Sequence, residues 1–177
     1  MRIRGALECR EAMDRRSITE HIPRLRRYAR ALVGDRYVAD DLVQDTLERA
    51  WNKFYLWRQG SDLRAWLFTI MHNVFVNQAR RRRYEVEELT DEMPAAAVRA
   101  TQGDQLELED VDRVLRSISP EQREVVLLVA VEQLTYEEVS RALDIPIGTV
   151  MSRLSRGRER MRQALGGQTA VPLKVVK

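Results

Sequence analysis

The sequence predicts an all-α protein: two small helical domains joined by a flexible acidic linker, the C-terminal one a helix-turn-helix. Three observations lead there. Glycine (8) and proline (5) are scarce among 177 residues, while 44% apolar content suffices for a core. Apolar residues recur at helical spacing on both sides of the middle of the chain. Charge is uneven: from Glu85 to Asp112 ten acids face one arginine, a net of −9, directly after the run Arg80 to Arg83. The expected divisions are a disordered leader over 1–17, a domain over 18–84, the linker over 85–105, a domain over 106–166 and a tail over 167–177.

Ile18, Ile22, Leu25, Ala29 and Leu32 keep a helical period that Gly34 ends. A second helix, Val38 to Phe54, is expected to bury Leu42, Val43, Leu47, Ala50, Trp51 and Phe54. Its other face carries Asp41, Asp45, Glu48 and Asn52. An acidic stripe repels phosphate, so it reads as solvated surface or as a dock for a basic protein. The third helix starts after Ser61 or Asp62, either of which can cap it. Leu63, Leu67, Ile70 and Val74 form its inner face, with Trp66, Asn73, Asn77 and Arg80 elsewhere. Aromatics mixed with amides and arginines suit single-stranded nucleic acid, where bases stack on rings and cations follow the backbone. So small a domain also needs aromatics inside, and Trp51, Phe54 and Trp66 are expected in its core. Between the domains, Met93 to Gly103 lacks a strong amphipathic period and reads as linker.

The second domain opens with Leu106 to Ile118. Ser119-Pro120-Glu121-Gln122 then forms a capping box with proline at the first helical position. Val125 to Val131 is an apolar run of seven residues, suited to a buried helix. Thr135 and Glu138 make another capping box, Val139 and Leu143 share a face, and Asp144-Ile145 break the helix. Pro146 opens the next one. Val150, Leu154 and Met161 give it a buried stripe, and Gly166-Gly167 end it. Between Thr149 and Leu165 five arginines face one acid, Glu159, a net of +4. This is the layout of a helix-turn-helix whose second helix enters a DNA major groove.

Other classes find little support. One cysteine, Cys9, excludes an internal disulfide and suits a reducing cytoplasm. No apolar run approaches 18 residues, so no membrane span is expected. The arginine-rich N-terminus lacks an apolar signal core, and either Met1 or Met13 could be the start. There is no carboxylate pair, metal cluster or glycine-rich phosphate loop, so no catalytic residue, metal or cofactor is expected. His21 and His72 read as isolated solvated or core histidines.

Four motifs in order, ADDLVQDTLERAW (39–51), LRAWLFTIMHNVFVNQARRRR (63–83), SPEQREVVLL (119–128) and LTYEEVSRALDIPIGTVMSRLSRGRERM (134–161), resemble bacterial extracytoplasmic-function sigma factors of the sigma-70 superfamily. The resemblance covers roughly residues 18–165. It implies an alternative sigma factor that binds core RNA polymerase, recognises the −35 and −10 promoter elements and opens the strands, and it implies no enzyme. Asp41, Gln44, Asp45 and Glu48 would meet the polymerase β′ clamp, with a further contact to the β flap. The loop from Trp57 to Asp62, including Ser61, would form part of a pocket for a flipped −10 base. Asn73 and Asn77 would lie near that base, and Arg80, Arg81 and Arg82 would grip the adjoining backbone. At the −35 element Thr149, Met151, Ser152, Ser155 and Arg156 would face bases, and Arg153 and Arg158 phosphates. Met151 stands where relatives often carry arginine, and it could touch a thymine methyl. The acidic linker would run through the polymerase channels, either imitating RNA or simply solvated. An anti-sigma factor is the implied regulator, and a stress response the implied setting. One alternative stays open, a helix-turn-helix regulator acting without replacing the housekeeping sigma factor; the complete set of basic DNA-facing residues argues against a decoy that sequesters an anti-sigma factor.

Overall fold

The computed structural model describes residues 2–58, 60–89 and 113–165, with side chains over 17–82, other than 59, and from 113 onward. The described residues form helices and turns, with no strand among them. The helices whose two ends are described are α1 (Arg2–Val33), α2 (Arg36–Lys53), α3 (Leu63–Leu89), α4 (Pro120–Val126), α5 (Tyr136–Leu143) and α6 (Ile147–Ala164), and residues 113–116 are helical as well. A 3-10 turn, Phe54–Leu56, follows α2, and a π turn, Leu127–Val131, extends α4. Helix α1 begins at Arg2, upstream of the boundary expected at Ile18. The first linker residues, 85–89, continue α3. The rest of the linker, the Gly166-Gly167 stop and the tail lie outside the described residues.

Local chemistry sets the ends. Gly34, at φ 75°, donates its N–H to the Arg30 carbonyl at 2.9 Å and stops α1 in the left-handed conformation that glycine adopts most readily. Asp35 accepts the Val38 N–H at 2.9 Å, so α2 starts at Arg36, ahead of its apolar period. Asp62 rather than Ser61 caps α3, accepting the N–H groups of Arg64 at 2.8 Å and Ala65 at 3.3 Å. Ser61 Oγ instead donates to the Arg58 carbonyl. Ser119 accepts the Gln122 N–H, but Gln122 Oε1 has no hydrogen-bond partner among the described residues. The expected capping box on α4 is therefore closed on one side only. The box on α5 is complete: the Thr135 N–H reaches Glu138 at 2.8 Å and the Glu138 N–H reaches Thr135 at 3.2 Å. Asp144, left-handed at φ 51°, makes the turn into α6.

Helices α1, α2 and α3 pack around Leu25, Ala29, Leu32, Leu42, Val43, Leu67, Met71 and Val74. Leu47, Phe54 and Trp66 are partly buried against this core. Trp51 departs from expectation: it is 41% exposed. Ala50 already fills the inward position, and a helix turns about 100° per residue, which carries Trp51 off the buried stripe. In the second unit Val125, Val126, Leu127 and Leu128 are buried as expected, whereas Ala130 and Val131 are exposed at the end of the π turn. Val150, Leu154 and Gly157 form the inner face of α6.

The two units do not stand apart. One apolar cluster runs from Ile18 and Leu25 through Leu67 and Met71 to Ile118, Leu128, Val139 and Leu154. Polar contacts lock the seam at three places. Arg123 donates to the Leu32 carbonyl at 2.7 Å and Arg116 to the Gly34 carbonyl at 3.2 Å, so two arginines of the second unit satisfy carbonyls at the C-terminus of α1, where a positive charge suits the helix dipole. His72 Nδ1 lies 2.8 Å from Glu124 Oε1, which corrects the reading of an isolated histidine. Glu132, fully buried, receives Arg27 at 3.0 Å on Oε1 and has Arg24 at 3.8 Å from Oε2, an ion pair without a hydrogen bond. Its main-chain carbonyl accepts from Arg64 at 2.8 Å. Tyr28 stacks edge-on against Phe68 at 4.9 Å. Burial first, then the charges of Glu124 and Glu132, raise its hydroxyl pKa well above the usual range.

Candidate functional site

Three separate surfaces hold the residues singled out in the sequence. The first is the outer face of α2. Asp41, Gln44 and Glu48 are exposed, while Asp45 is half-buried and accepts a hydrogen bond from Gln78 of α3 at 2.9 Å. Asp45 therefore orients α3 against α2 as well as colouring the acidic face. Gln44 and Glu48 also line a groove with Arg26, Asp40, Val43, Leu47, Trp51 and Asn52. Its apolar floor and mixed rim suit a helix laid across α1 and α2. Trp51 supplies an aromatic wall that the expectation of a core tryptophan had hidden.

The second surface is the outer face of α3 and the loop before it. Asn73 and Asn77, one turn apart, are exposed on one face, and Arg80, Arg81 and Arg82 follow in the open. Asn73 donates an amide hydrogen to the Thr69 carbonyl at 2.9 Å, which fixes the orientation of its side chain. In the loop, Phe54 packs on Trp57 at 5.4 Å and on Trp66 at 6.0 Å. The indole N–H of Trp57 is buried without a hydrogen-bond partner among the described residues. Ser61 is exposed. Asp62 anchors the loop to α3, and Arg64 bridges Asp62 at 3.1 Å to the Glu132 carbonyl of the second unit.

The charge of Asp62 matters to this loop. Partial burial acts to raise its pKa, but the Ala65 N–H and the Arg64 guanidinium and N–H outweigh it and leave the group below its ordinary value. A carboxyl whose folded pKa is depressed stabilises above its unfolded pKa, and that contribution is lost as pH falls through the folded one. The urea midpoint of the wild-type protein should exceed that of Asp62→Asn by a constant amount above about pH 5, with the gap closing below about pH 4. A gap independent of pH would refute the ionic cap.

The third surface is α6. Met151, Ser155, Arg156 and Arg158 are exposed, and Thr149, Ser152 and Arg153 are half-buried. Ser152 Oγ donates to the Thr149 carbonyl at 3.1 Å. The Glu121 pKa is lowered first by its own main-chain N–H and by Ser119, against burial, with a further contribution from Arg153. Arg162 pairs with Glu159. One exposed residue was missed in the sequence: Ile147, 42% exposed, lies one turn before Met151 on the same side. The expected buried stripe of Val150 and Leu154 leaves Ile147 off the inner face, and the packing of α6 leaves it uncovered.

No group of three or more potential metal-binding side chains occurs among the described residues. No described helix is long and apolar enough to cross a membrane.

Comparison with known proteins matches both halves. A family profile described as the Sigma2 domain of PhyR covers residues 18–72, and one described as Sigma-70, region 4, covers residues 108–161. The ECF RNA polymerase sigma factor EcfG of Rhodopseudomonas palustris is 37% identical over 153 residues, covering 85% of this chain and 84% of the relative. SigL of Mycobacterium tuberculosis, also an ECF RNA polymerase sigma factor, is 31% identical over 166 residues, covering 86% and 89%. Among solved structures, the sigma factor RpoE in complex with the anti-sigma factor NepR, from Bartonella quintana, superimposes with a TM-score of 0.75 at 36% identity, covering 88% of this chain and 98% of that one. CnrH in complex with the cytosolic domain of CnrY gives 0.65 at 25% identity, covering 88% and 89%.

Proposed function

The chain belongs to the extracytoplasmic-function RNA polymerase sigma factors, and on that premise we propose which of its surfaces does what. As an alternative sigma factor it directs transcription, a binding task that calls for recognition surfaces and no reacting groups. The outer face of α2, with Asp41, Gln44, Asp45 and Glu48, docks on the β′ clamp of core polymerase. The second unit meets the β flap. The loop from Trp57 to Asp62, including Ser61, with Asn73 and Asn77, holds the melted −10 strand, and Arg80, Arg81 and Arg82 follow its backbone. Helix α6 reads the −35 duplex through Thr149, Met151, Ser152, Ser155 and Arg156, with Arg153 and Arg158 toward phosphates.

The observation that carries this assignment is the segregation of charge on the folded body. Asp41 and Glu48 are exposed on the outer face of α2, with Arg36 and Lys53 exposed at its two ends, whereas the exposed charges at Arg80, Arg81 and Arg82 of α3 are all arginine and α6 carries five arginines to one acid. Anionic DNA is attracted most strongly to the second pair of surfaces, and the mixed charge of the first leaves it for a protein. Strand opening follows from the same division. Unstacking a base costs a few kcal/mol, on the order of what stacking and hydrogen bonds in a fitted pocket return.

The resemblance to sigma factors solved with anti-sigma partners supports an anti-sigma factor as regulator. The groove on α1 and α2 is a fitting dock for it, shared with polymerase, so that the two compete. Cytoplasmic location follows from the partnership with polymerase.

Run-off transcription with core polymerase on genomic fragments tests the whole reading. Specific transcripts that require both proteins are expected. Specific duplex binding by the chain alone, with no polymerase dependence, would favour the helix-turn-helix regulator instead. In the same assay Arg156→Ala should cost about 1–3 kcal/mol at one promoter position and relax specificity there. A uniform loss across all sequences would make Arg156 a phosphate contact.

A further inference from the structure

The first two turns of α6 carry an apolar pair that the fold leaves uncovered. Ile147 is 42% exposed and Met151 53% exposed. They are four residues apart and so lie on one side of the helix. Neither belongs to the inner stripe, which is Val150, Leu154 and Gly157. A Cβ built on Gly148, next to Ile147, would meet nothing within 4 Å. The N-terminal end of the helix therefore stands clear of the body and is free to enter a groove.

The surroundings define what such a pair would meet. Ser155 and Arg158 continue the same stripe and are exposed, and the helix carries a net charge of +4. The occupant must be anionic overall yet present apolar groups to the helix N-terminus. In the major groove of duplex DNA that group is the C5 methyl of thymine, and recognition helices present their N-terminal residues to base edges. The spacing agrees. Four residues advance about 6 Å along a helix, and base pairs follow one another at about 3.4 Å. The two side chains can thus reach methyls on neighbouring or next-but-one pairs.

We propose that Ile147 and Met151 together read two thymine methyl groups in the −35 duplex, making this end of the helix selective for A·T pairs. The proposal rests on α6 being the −35 reader and adds to that reading the chemistry of two positions, one of them, Ile147, not among the residues expected to face bases.

Uracil substitution tests it, because uracil differs from thymine only by the methyl. Duplexes randomised across the −35 region are selected with the complete assembly of this chain and core polymerase. The recovered element is then resynthesised with each thymine, on either strand, replaced by uracil. Two positions are expected at which uracil weakens binding about three- to fivefold, the value of one buried methyl. Met151→Ala should abolish the uracil effect at one of them and Ile147→Ala at the other, with the remaining positions unchanged. Both side chains are on the surface, so the variants keep the fold. An element recovered with uracil neutral throughout, as it would be if a protein partner occupied this patch, overturns the proposal alone. So does uracil sensitivity that persists in both variants. Recovery of no −35 element overturns the parent reading and this proposal with it.

Discussion

Replacing Arg24 and Arg27 together by alanine should separate the two helical units. Glu132 is fully buried in the seam, and its carboxylate has these two guanidiniums as ionic partners, at 3.8 and 3.0 Å. A carboxylate stripped of its cations in an apolar seam is expensive, of the order of 3–5 kcal/mol for a wholly buried pair. The arginine side chains are about half exposed, 49% and 58%, so solvent screens part of that value. A loss of about 2–3 kcal/mol is expected. The cheapest relief is for the second unit to swing away and let Glu132 meet water, because neither helical bundle has to unfold. Small-angle scattering should show an increased radius of gyration, and amide exchange should rise along α4 while α2 stays protected. Adding Glu132→Leu to the double variant should restore the packing, since a side chain without charge has no need of the arginines. A double variant as compact as the wild type would refute the role assigned to the pair.

Gly157→Leu should be the most damaging single change in α6. A Cβ at Gly157 would stand 2.8 Å from Cγ2 of Val126, closer than a stiff β-branched side chain can yield. The conflict is with that one side chain of α4, since the next atoms, Gln122 Cβ at 3.5 Å and its carbonyl oxygen at 3.6 Å, are at ordinary contact distance. Two effects oppose one another. An alanine in a helix interior gains about 1 kcal/mol over glycine, while forcing atoms into a packed contact costs about 1–3 kcal/mol. The overlap wins, narrowly for alanine and clearly for leucine, where about 3 kcal/mol is expected. Chemical denaturation of the four proteins in a Gly157→Ala, Val126→Ala cycle checks the cause. Removing the Val126 methyls should relieve much of the alanine penalty, giving a coupling of about 1–2 kcal/mol. Strictly additive effects would mean the contact is not the source. DNA binding should weaken in step with stability, because α4 is the platform that presents α6.

These two expectations rest on features that the sequence conceals in different ways. Gly157 occupies the seventh position after Val150, the place in the Val150, Leu154, Met161 stripe where an apolar side chain was missing. The gap was visible, but its meaning was not, since a glycine in a helix reads equally as a flaw or as a close approach. Glu132 follows an apolar run and reads as the first solvated residue beyond it. Its burial depends on α1, and the Arg27 that pairs with it is 105 residues away in the chain. His72 likewise reads as isolated in the sequence because its partner Glu124 lies 52 residues on, in the other unit. Trp51 failed as a core residue for a geometric reason: the apolar period of α2 marks a broad stripe, and only the seating of α2 on α1 and α3 decides which edge of that stripe stays wet.

What the sequence determined by itself was local or periodic. Helical spacing, the Thr135–Glu138 box, the Gly34 and Asp144 turns and the segregation of acids from arginines all depend on residues within a few positions of one another, where propensity, capping and charge act without help from the rest of the chain. The four motifs in order carried the family for the same reason, being short stretches that each hold one surface. Tertiary structure alone decided that the two units share a continuous core, that Glu132 and Glu124 are buried between them, and that Ile147 and Met151 are left exposed. Burial is a property of what arrives from elsewhere in the chain. An arginine, a glutamate or an isoleucine has the same letter whether it is covered or not, and free energy separates the cases only once the partner surface is in place.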